Sequence, residues 1–416
     1  MSAHLPSAAE VQCAADAEER TARAAWSALA EPGDPVAGAL VASLGAVDAW
    51  RLVTLAVDQG LPAAWARVVR GGDGVLVDGK GAGAGGVGGQ RLSRAVARWA
   101  ARRATLDVAR DLAAIEQVGG VFVVPGDPGW PSMLDDLGHT APFGLWVRGT
   151  SGLAASLDRS VAIVGSRAST AYGERVAVDL AAGAVDSGCA VVSGGAYGID
   201  AAAHRGAVAR GGPTLVLLAG GVDRAYPAGN ARLFEAVVEG GGALASEVPV
   251  RAVPTRSRFL QRNRLIAAGA RATVVVEAAW RSGAMSTAHH AVGLLRPVGA
   301  VPGPVTSVAS AGCHRLLREG AAVCVTDAAE VLELVGRSGG DAVPEGDGPR
   351  RPTDHLDPLA ARVRDALGRR RGTDVAGVAS AAAVTLEEAR GALGLLELDG
   401  LARLGPGGWV MVDGHV

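Results

Sequence analysis

Between Arg251 and Arg271 the chain reads RAVPTRSRFLQRNRLIAAGAR: six arginines, no carboxylate, and one aromatic, Phe259, in their midst. Guanidinium groups hold phosphates through paired donors and stay charged at any working pH, while an unpaired base offers a flat face to an aromatic ring. Charge plus a stacking surface is what a single strand of nucleic acid requires. If 259–268 is helical, spacings of three and four put Phe259, Arg262, Asn263 and Ile266 on one face. The competing reading makes Phe259 and Ile266 core anchors and the arginines a solvated rim.

Several glycine- and serine-bearing turns have the same affinity for anions. Gly165-Ser166-Arg167 follows VAIV, Ser193-Gly194-Gly195-Ala196-Tyr197-Gly198 follows AVV, Gly220-Gly221 follows TLVLLA, and Arg281-Ser282-Gly283 follows VVVEAAW. Each precedes a helical stretch, whose first amides and dipole favour an anion, and glycine lets a ligand approach the backbone. Several phosphate-sized sites in a row suit a polymer better than one small ligand. The plainer alternative is that tight strand-to-helix turns need glycine whatever they bind. A dinucleotide cofactor fits poorly, because no G-x-G-x-x-G follows the first strand and the second ends in Ser-Gly-Gly where a ribose-binding acid is expected.

The elements that must position these turns are short apolar runs alternating with helical stretches: 121–124, 161–165, 190–195, 214–221, 243–247, 272–278, 298–303 and 321–325. Strand, helix, strand in series predicts an α/β fold with a doubly wound, mostly parallel sheet, and strands this uniformly apolar are buried on both faces. Ligands of such a sheet collect beyond the carboxyl ends of its strands, where these turns lie. Residues 1–118 read as a helical domain carrying a glycine-rich insertion at 71–89, and 119–337 as the sheet domain. A charged, Gly- and Pro-bearing linker at 338–354 leads to 355–416, where three helices and a hairpin turning at Gly405 to Gly408 predict a winged helix. Its third helix carries Glu387, Glu388, Glu397 and Asp399 against Arg390 alone, which favours contact with protein over a phosphate groove.

Composition narrows the chemistry further. The 416 residues are 49% hydrophobic with a mean hydropathy of +0.24, enough for buried cores, and the net charge is only −2, so any affinity for nucleic acid must come from local clustering. Lys80 is the single lysine and is followed by Gly81, which excludes a P-loop, and a Schiff base or Ser-Lys dyad would have to use it. Cys13, Cys189, Cys313 and Cys324 form no CxxC pair and no charged-then-apolar leader opens the sequence, so a reduced, cytoplasmic protein without a membrane partner is expected. Asp200 and His204 lie four apart on one predicted helix and could pair as orienter and base; the plainer reading puts Asp200 at a helix N-terminus and packs His204. The adjacent pairs His289-His290 and Cys313-His314 are poor chelates, and no metal or cofactor is expected.

Taken in order, VAIVGSRAST, VVSGGAYGIDAAAHRGA, AGGVDRAYPAGNARLF, FLQRNRLIAA, RSGAMSTAHHA and AVPGPV resemble the DNA-processing protein A family (DprA, also called Smf), over most of residues 120–335. The resemblance implies an extended Rossmann-like domain, often with a helical domain before it and a winged helix after it. It also implies a non-enzymatic protein of natural transformation that protects incoming single-stranded DNA, forms a homodimer through the Rossmann-like domain, and loads the RecA recombinase. It places the DNA contacts on Gly165, Ser166 and Arg167, on Arg256 three residues before the base-stacking Phe259, and on Arg262, Asn263 and Arg264. The other turn residues, Ser193, Gly194, Gly195, Ser282 and Gly283, join them. Arg256 stands where lysine is usual in some relatives, a change that phosphate binding tolerates. A rival class is the Rossmann-like nucleoside monophosphate hydrolases of the cytokinin-activating type, whose catalytic turn carries a glutamate shortly after Gly-Gly-x-Gly-Thr. The comparable stretch here, 282–290, has no carboxylate. A protein-binding scaffold is the third reading, favoured if the arginines are paired with surface carboxylates.

Overall fold

A computed structural model describes residues 8–60, 87–150, 152–336, 356–369 and 371–412. Lys80, the glycine-rich insertion as far as residue 86 and the linker at 338–354 lie outside the described residues. The chain divides into two compact units, Met1–Val343 and Pro344–Val416.

The first unit opens with α1 (Ala8–Leu29), α2 (Pro35–Leu44), α3 (Ala46–Gln59), α4 (Val87–Arg103) and α5 (Val108–Gln117). Asp34 starts α2 by accepting from the amides of Val36 and Ala37 at 2.9 and 3.3 Å, with Pro35 in the first turn, where its missing N–H costs nothing. These helices close around aromatic rings: Trp26 meets Trp99 edge-on at 5.4 Å and Phe143 at 5.7 Å. Their pairing adds to the area that each ring buries. Ala24, Ala114 and Ile115 instead pack with Phe122, Trp146 and Val216 of the sheet, so the helices before residue 118 and the strands after it share a core. Among the described residues no single helix is long and apolar enough to cross a membrane.

The sheet contains nine described strands: β1 (Gly120–Val123), β2 (Leu145–Gly149), β3 (Ser160–Val164), β4 (Ala190–Ser193), β5 (Thr214–Leu218), β6 (Ala243–Ser246), β7 (Ala272–Val275), β8 (Val298–Ala300) and β9 (Val323–Cys324). Their order is β1-β2-β6-β5-β4-β3-β7-β8-β9, antiparallel at β1/β2 and β2/β6 and parallel elsewhere. The eight expected apolar runs all contribute strands. LWVRG was not among them, yet it forms β2, the strand that makes one edge antiparallel; its five residues, preceded by Gly144 and ending in Gly149, are too short to show a period.

Alternate side chains of each strand enter different layers, as the two-residue period of a strand requires. Ala162 and Val164 face α9 (Arg256–Ala268), α10 (Gly283–Gly293) and α11 (Ala311–Arg318). Val161 and Ile163 face α6 (Ala171–Asp186), α7 (Ile199–Ala209) and α12 (Ala328–Val335), while Phe234 of α8 (Ala231–Glu239) covers β5 and β6 on that same side. The chain moves outward from β3 through β4, β5 and β6, then returns to pair β7 on the other side of β3. That reversal leaves a crevice between the turns after β3 and β7, where an open α/β sheet binds its ligands.

The second unit contains α13 (Pro358–Asp365), α14 (Val375–Ala382), α15 (Leu386–Leu398) and an antiparallel ribbon of β10 (Ala402–Gly405) and β11 (Gly408–Met411). Thr385 and Glu388 form a reciprocal capping box at the start of α15. Val363, Val378, Leu393, Leu396 and Leu401 form its core.

Candidate nucleic-acid interface

A cleft of about 680 Å³ occupies the crevice. Its walls are the turn after β3 (Gly165, Ser166, Arg167), the start of α10 (Ser282, Gly283) and one face of α9, exposed at Arg256 and buried at Arg262, Asn263 and Ile266, with Phe259 between. The four residues expected to share a helix face do so.

α9 starts where Thr255 accepts from the amide of Arg258 at 3.3 Å. Its first turn carries Arg256 into solvent, and among the described residues Arg256 and Arg167 have no carboxylate partner. The Arg167 guanidinium lies over the Phe259 ring, 4.8 Å from its centre. Tyr226, from the loop after β5, meets the same ring at 5.5 Å with an interplanar angle of 49°. Phe259 is half-buried, so the ring is both anchored and reachable.

Two buried glutamates fix the walls. Glu277, just beyond β7, accepts from the Thr170 amide at 2.9 Å and the Thr170 hydroxyl at 2.6 Å, while its own carbonyl accepts from the Ser166 amide at 2.7 Å. This ties the turn after β3 to the end of β7. A side chain at Gly165 would lie 2.6 Å from Ile199 and 2.9 Å from the Glu277 carbonyl, so that glycine is required by close packing whether or not a ligand approaches. Glu247, just beyond β6, accepts from Arg264 at 2.6 Å.

That last pair corrects the expected site. Arg264 is only 2% exposed, its side chain lies behind α9 against Glu247, and it is not part of the cleft wall. Ser193, Gly194 and Gly195 are buried too and do not line the cleft. The Ser193 hydroxyl donates to the Ile163 carbonyl at 2.6 Å. Gly194 makes room for Arg262: a Cβ there would lie 1.2 Å from Nη1. Gly195, at φ +65°, is packed on Val216 and Phe234.

Arg262 itself is at the cleft floor, 5% exposed, with Nη1 4.0 Å from Asp200, the one carboxylate among the described lining residues. Asp200 also accepts from the Ala196 amide at 3.4 Å. Burial raises the Asp200 carboxyl against the pull of Arg262, and lowers Arg262 to about 10, so the guanidinium remains charged at neutral pH. His204, one turn along α7, is fully buried. Its Nδ1 lies 2.8 Å from the Thr214 hydroxyl, which donates onward to the Val191 carbonyl, leaving Nδ1–H as donor and Nε2 bare. Burial holds its pKa down at about 3. Asp200 and His204 therefore do not form a base and its orienter. Asn263 donates to the Gly283 carbonyl at 3.2 Å, and the Ser282 hydroxyl at the start of α10 is buried with no partner among the described residues.

Of the six arginines in 251–271, four have carboxylate partners: Arg258 with Glu31, Arg262 with Asp200, Arg264 with Glu247 and Arg271 with Asp158. Among the described residues, the cleft cations without a carboxylate partner are thus Arg167 and Arg256. Sequence reasoning missed Tyr226, Glu247, Glu277 and the pairing of Asp200 with Arg262. The glutamates carried a signal, since a carboxylate closing a wholly apolar strand must find a partner.

The profile of the family described as DNA recombination-mediator protein A matches residues 121–336, which include the cleft and all of the sheet but its first residue. A Mycobacterium tuberculosis protein named as the DNA processing protein DprA is 46% identical over 323 residues, 74% of this chain and 81% of its own. Protein Smf of Escherichia coli is 39% identical over 192 residues, 46% of this chain and 50% of its own. The crystal structure of DNA processing protein A from Streptococcus pneumoniae superposes with a TM-score of 0.51 at 32% identity, covering 57% of this chain and 81% of that one.

Proposed function

The chain belongs to the DNA recombination-mediator protein A family, and on that premise we propose that it binds single-stranded DNA across the carboxyl edge of the parallel sheet. The observation that carries this reading is the stack of Arg167 on Phe259 beside the unpaired Arg256, at the mouth of a cleft formed at the sheet's switch point. A guanidinium on an exposed ring contributes about 0.5–1 kcal/mol, whereas a stacked base contributes about 1–3 kcal/mol. A base therefore displaces Arg167 from the ring, and the released guanidinium takes a neighbouring phosphate, where a charge-assisted pair is stronger than the contact it left. Arg256 holds the next phosphate. Arg262 and Asp200, a paired and nearly closed unit, shape the floor. The Ser166 and Gly283 backbones flank the strand.

Family resemblance implies further roles, which we propose for this chain. The protein protects incoming single strands during transformation, acts as a homodimer through the sheet domain, and passes the strand to the RecA recombinase. It does so by binding and not by catalysis: Asp200, the lining carboxylate, is occupied by a backbone amide and faced by Arg262. The C-terminal helices and ribbon serve as a winged-helix module for contact with protein.

Fluorescence anisotropy with a labelled oligonucleotide, single-stranded against duplex and at two salt concentrations, tests the binding. Tighter, salt-sensitive association with the single strand is expected, and Phe259→Ala should weaken it by about 1–3 kcal/mol with little sequence preference. No association at low salt would refute the reading.

A further inference from the structure

Arg251, counted with the arginine segment, does not reach the cleft. It lines a separate groove of about 260 Å³, where Arg102 of α4, Arg110 of α5 and the 249–252 loop converge over an apolar floor that includes Leu106 and Val250. We propose that this groove is a second phosphate-binding site, which takes the sugar-phosphate backbone of the single strand after it leaves the cleft. The inference rests on the cleft being the primary site for single-stranded DNA.

Two of the three arginines are held where local preference argues against them. Arg251 has φ +68°, the left-handed region that a non-glycine residue enters only under constraint. The constraint is tertiary: its amide donates to Asp223 Oδ1 at 2.8 Å. Arg110 stands in the first turn of α5, where the helix dipole disfavours a cation. Local rules broken together at one place are the mark of a functional surface. The one acid lining the groove is Asp111, 3.6 Å from Arg110 and mostly buried, and that burial raises its carboxyl. Three cations thus face one carboxylate there, with Arg102 also paired to Glu31.

The groove is continuous in sequence with the cleft. Arg251 and Arg256 are the two ends of RAVPT and the start of α9, and five residues span at most about 17 Å. A strand of a few nucleotides covers that distance. The ion-paired group Arg258, Glu31 and Arg102 links the helix of the cleft to the helix of the groove, with Arg258 donating to Glu31 at 3.0 and 3.1 Å.

The test is anisotropy with labelled oligonucleotides of about 2 nucleotides, too short to leave the cleft, and about 20 nucleotides across a salt series, using an Arg110→Gln/Arg251→Gln double variant, which keeps the aliphatic stems. The short strand should bind variant and parent alike. The long strand should bind the variant about tenfold more weakly, and its log–log salt slope should fall by about 1.4, or 0.7 per lost contact. Unchanged affinity and slope for the long strand overturn the second site. Equal losses at both lengths also overturn it, since the arginines would then act through the fold or the cleft. A parent protein that binds neither length at low salt defeats the cleft reading itself, and Phe259→Ala, which should weaken both lengths, marks that difference.

Discussion

Arg256 and Arg264 are eight residues apart on α9 and serve opposite ends. Arg256 is exposed without a carboxylate partner among the described residues, next to the stacked pair of Arg167 and Phe259; Arg264 is sealed behind the helix against Glu247. Within the first turns of the helix only Arg256 is available to a ligand, because Arg258 is already held by Glu31. The closed half is an internal electrostatic structure, in which Arg262 and Arg264 each face a carboxylate from a strand end or helix start. A run of arginines is therefore two things at once, and what separates them is whether a carboxylate from elsewhere in the fold arrives first.

Breaking the closed half should give the largest effect, and on stability. Arg264→Ala leaves Glu247 buried and unpaired, which costs about 3–5 kcal/mol, read by urea unfolding. An Arg264→Met/Glu247→Leu pair should recover most of that loss, because no charge remains buried. If Arg264→Ala instead leaves the unfolding midpoint in place and weakens DNA binding, the division of the helix is wrong. Gly194→Ala comes next: it drives a Cβ into Arg262, and overpacking of this kind costs about 1–3 kcal/mol of stability. The same substitution would have been a binding defect had the turn after β4 opened into the cleft.

Much of this was legible beforehand. Eight apolar runs marked strands, their order implied a parallel sheet, and the spacing of Phe259, Arg262, Asn263 and Ile266 put the four on one helix face, the face that lines the cleft. Arg264 was not legible, because RNR is three residues at successive 100° steps and nothing within it says which step faces inward. Its partner is seventeen residues upstream at the end of β6. Likewise the turn after β4 looks in sequence like the turn after β3. Only the packing of Arg262 against Gly194 shows that one is filled from within. Pairings that decide a charge's role are long-range, and periodicity reports only neighbours.

The two halves should also differ in their response to acid. His204, beneath the closed half, has a pKa near 3 against an ordinary value of 6.5. The unfolded chain therefore binds its proton first. The stability that comes from keeping the ring neutral is fully present above pH 6.5 and is lost as pH falls from 6.5 towards 3. The slope attributable to this one ring is on the order of 1 kcal/mol per pH unit. His204→Asn, which keeps a donor for Thr214 but does not titrate, should flatten that part of the stability profile. A variant with the parent's profile would remove His204 from the account.

The open half should give the smallest and most specific effect. Arg167→Ala and Arg256→Ala remove exposed groups that form no ion pair among the described residues, so folding stability should stay within about 0.5 kcal/mol of the parent. Each should lower the salt slope of single-strand binding by about 0.7, the signature of one phosphate contact. Arg167 has a second expectation, because it shields the ring until a base arrives. Its removal loses a phosphate contact but also frees the Phe259 face, so its net loss of affinity should be smaller than that of Arg256→Ala at the same salt. Were Arg167→Ala the more damaging of the two, the guanidinium would be a permanent layer of the stack and the base would lie upon it, not in its place.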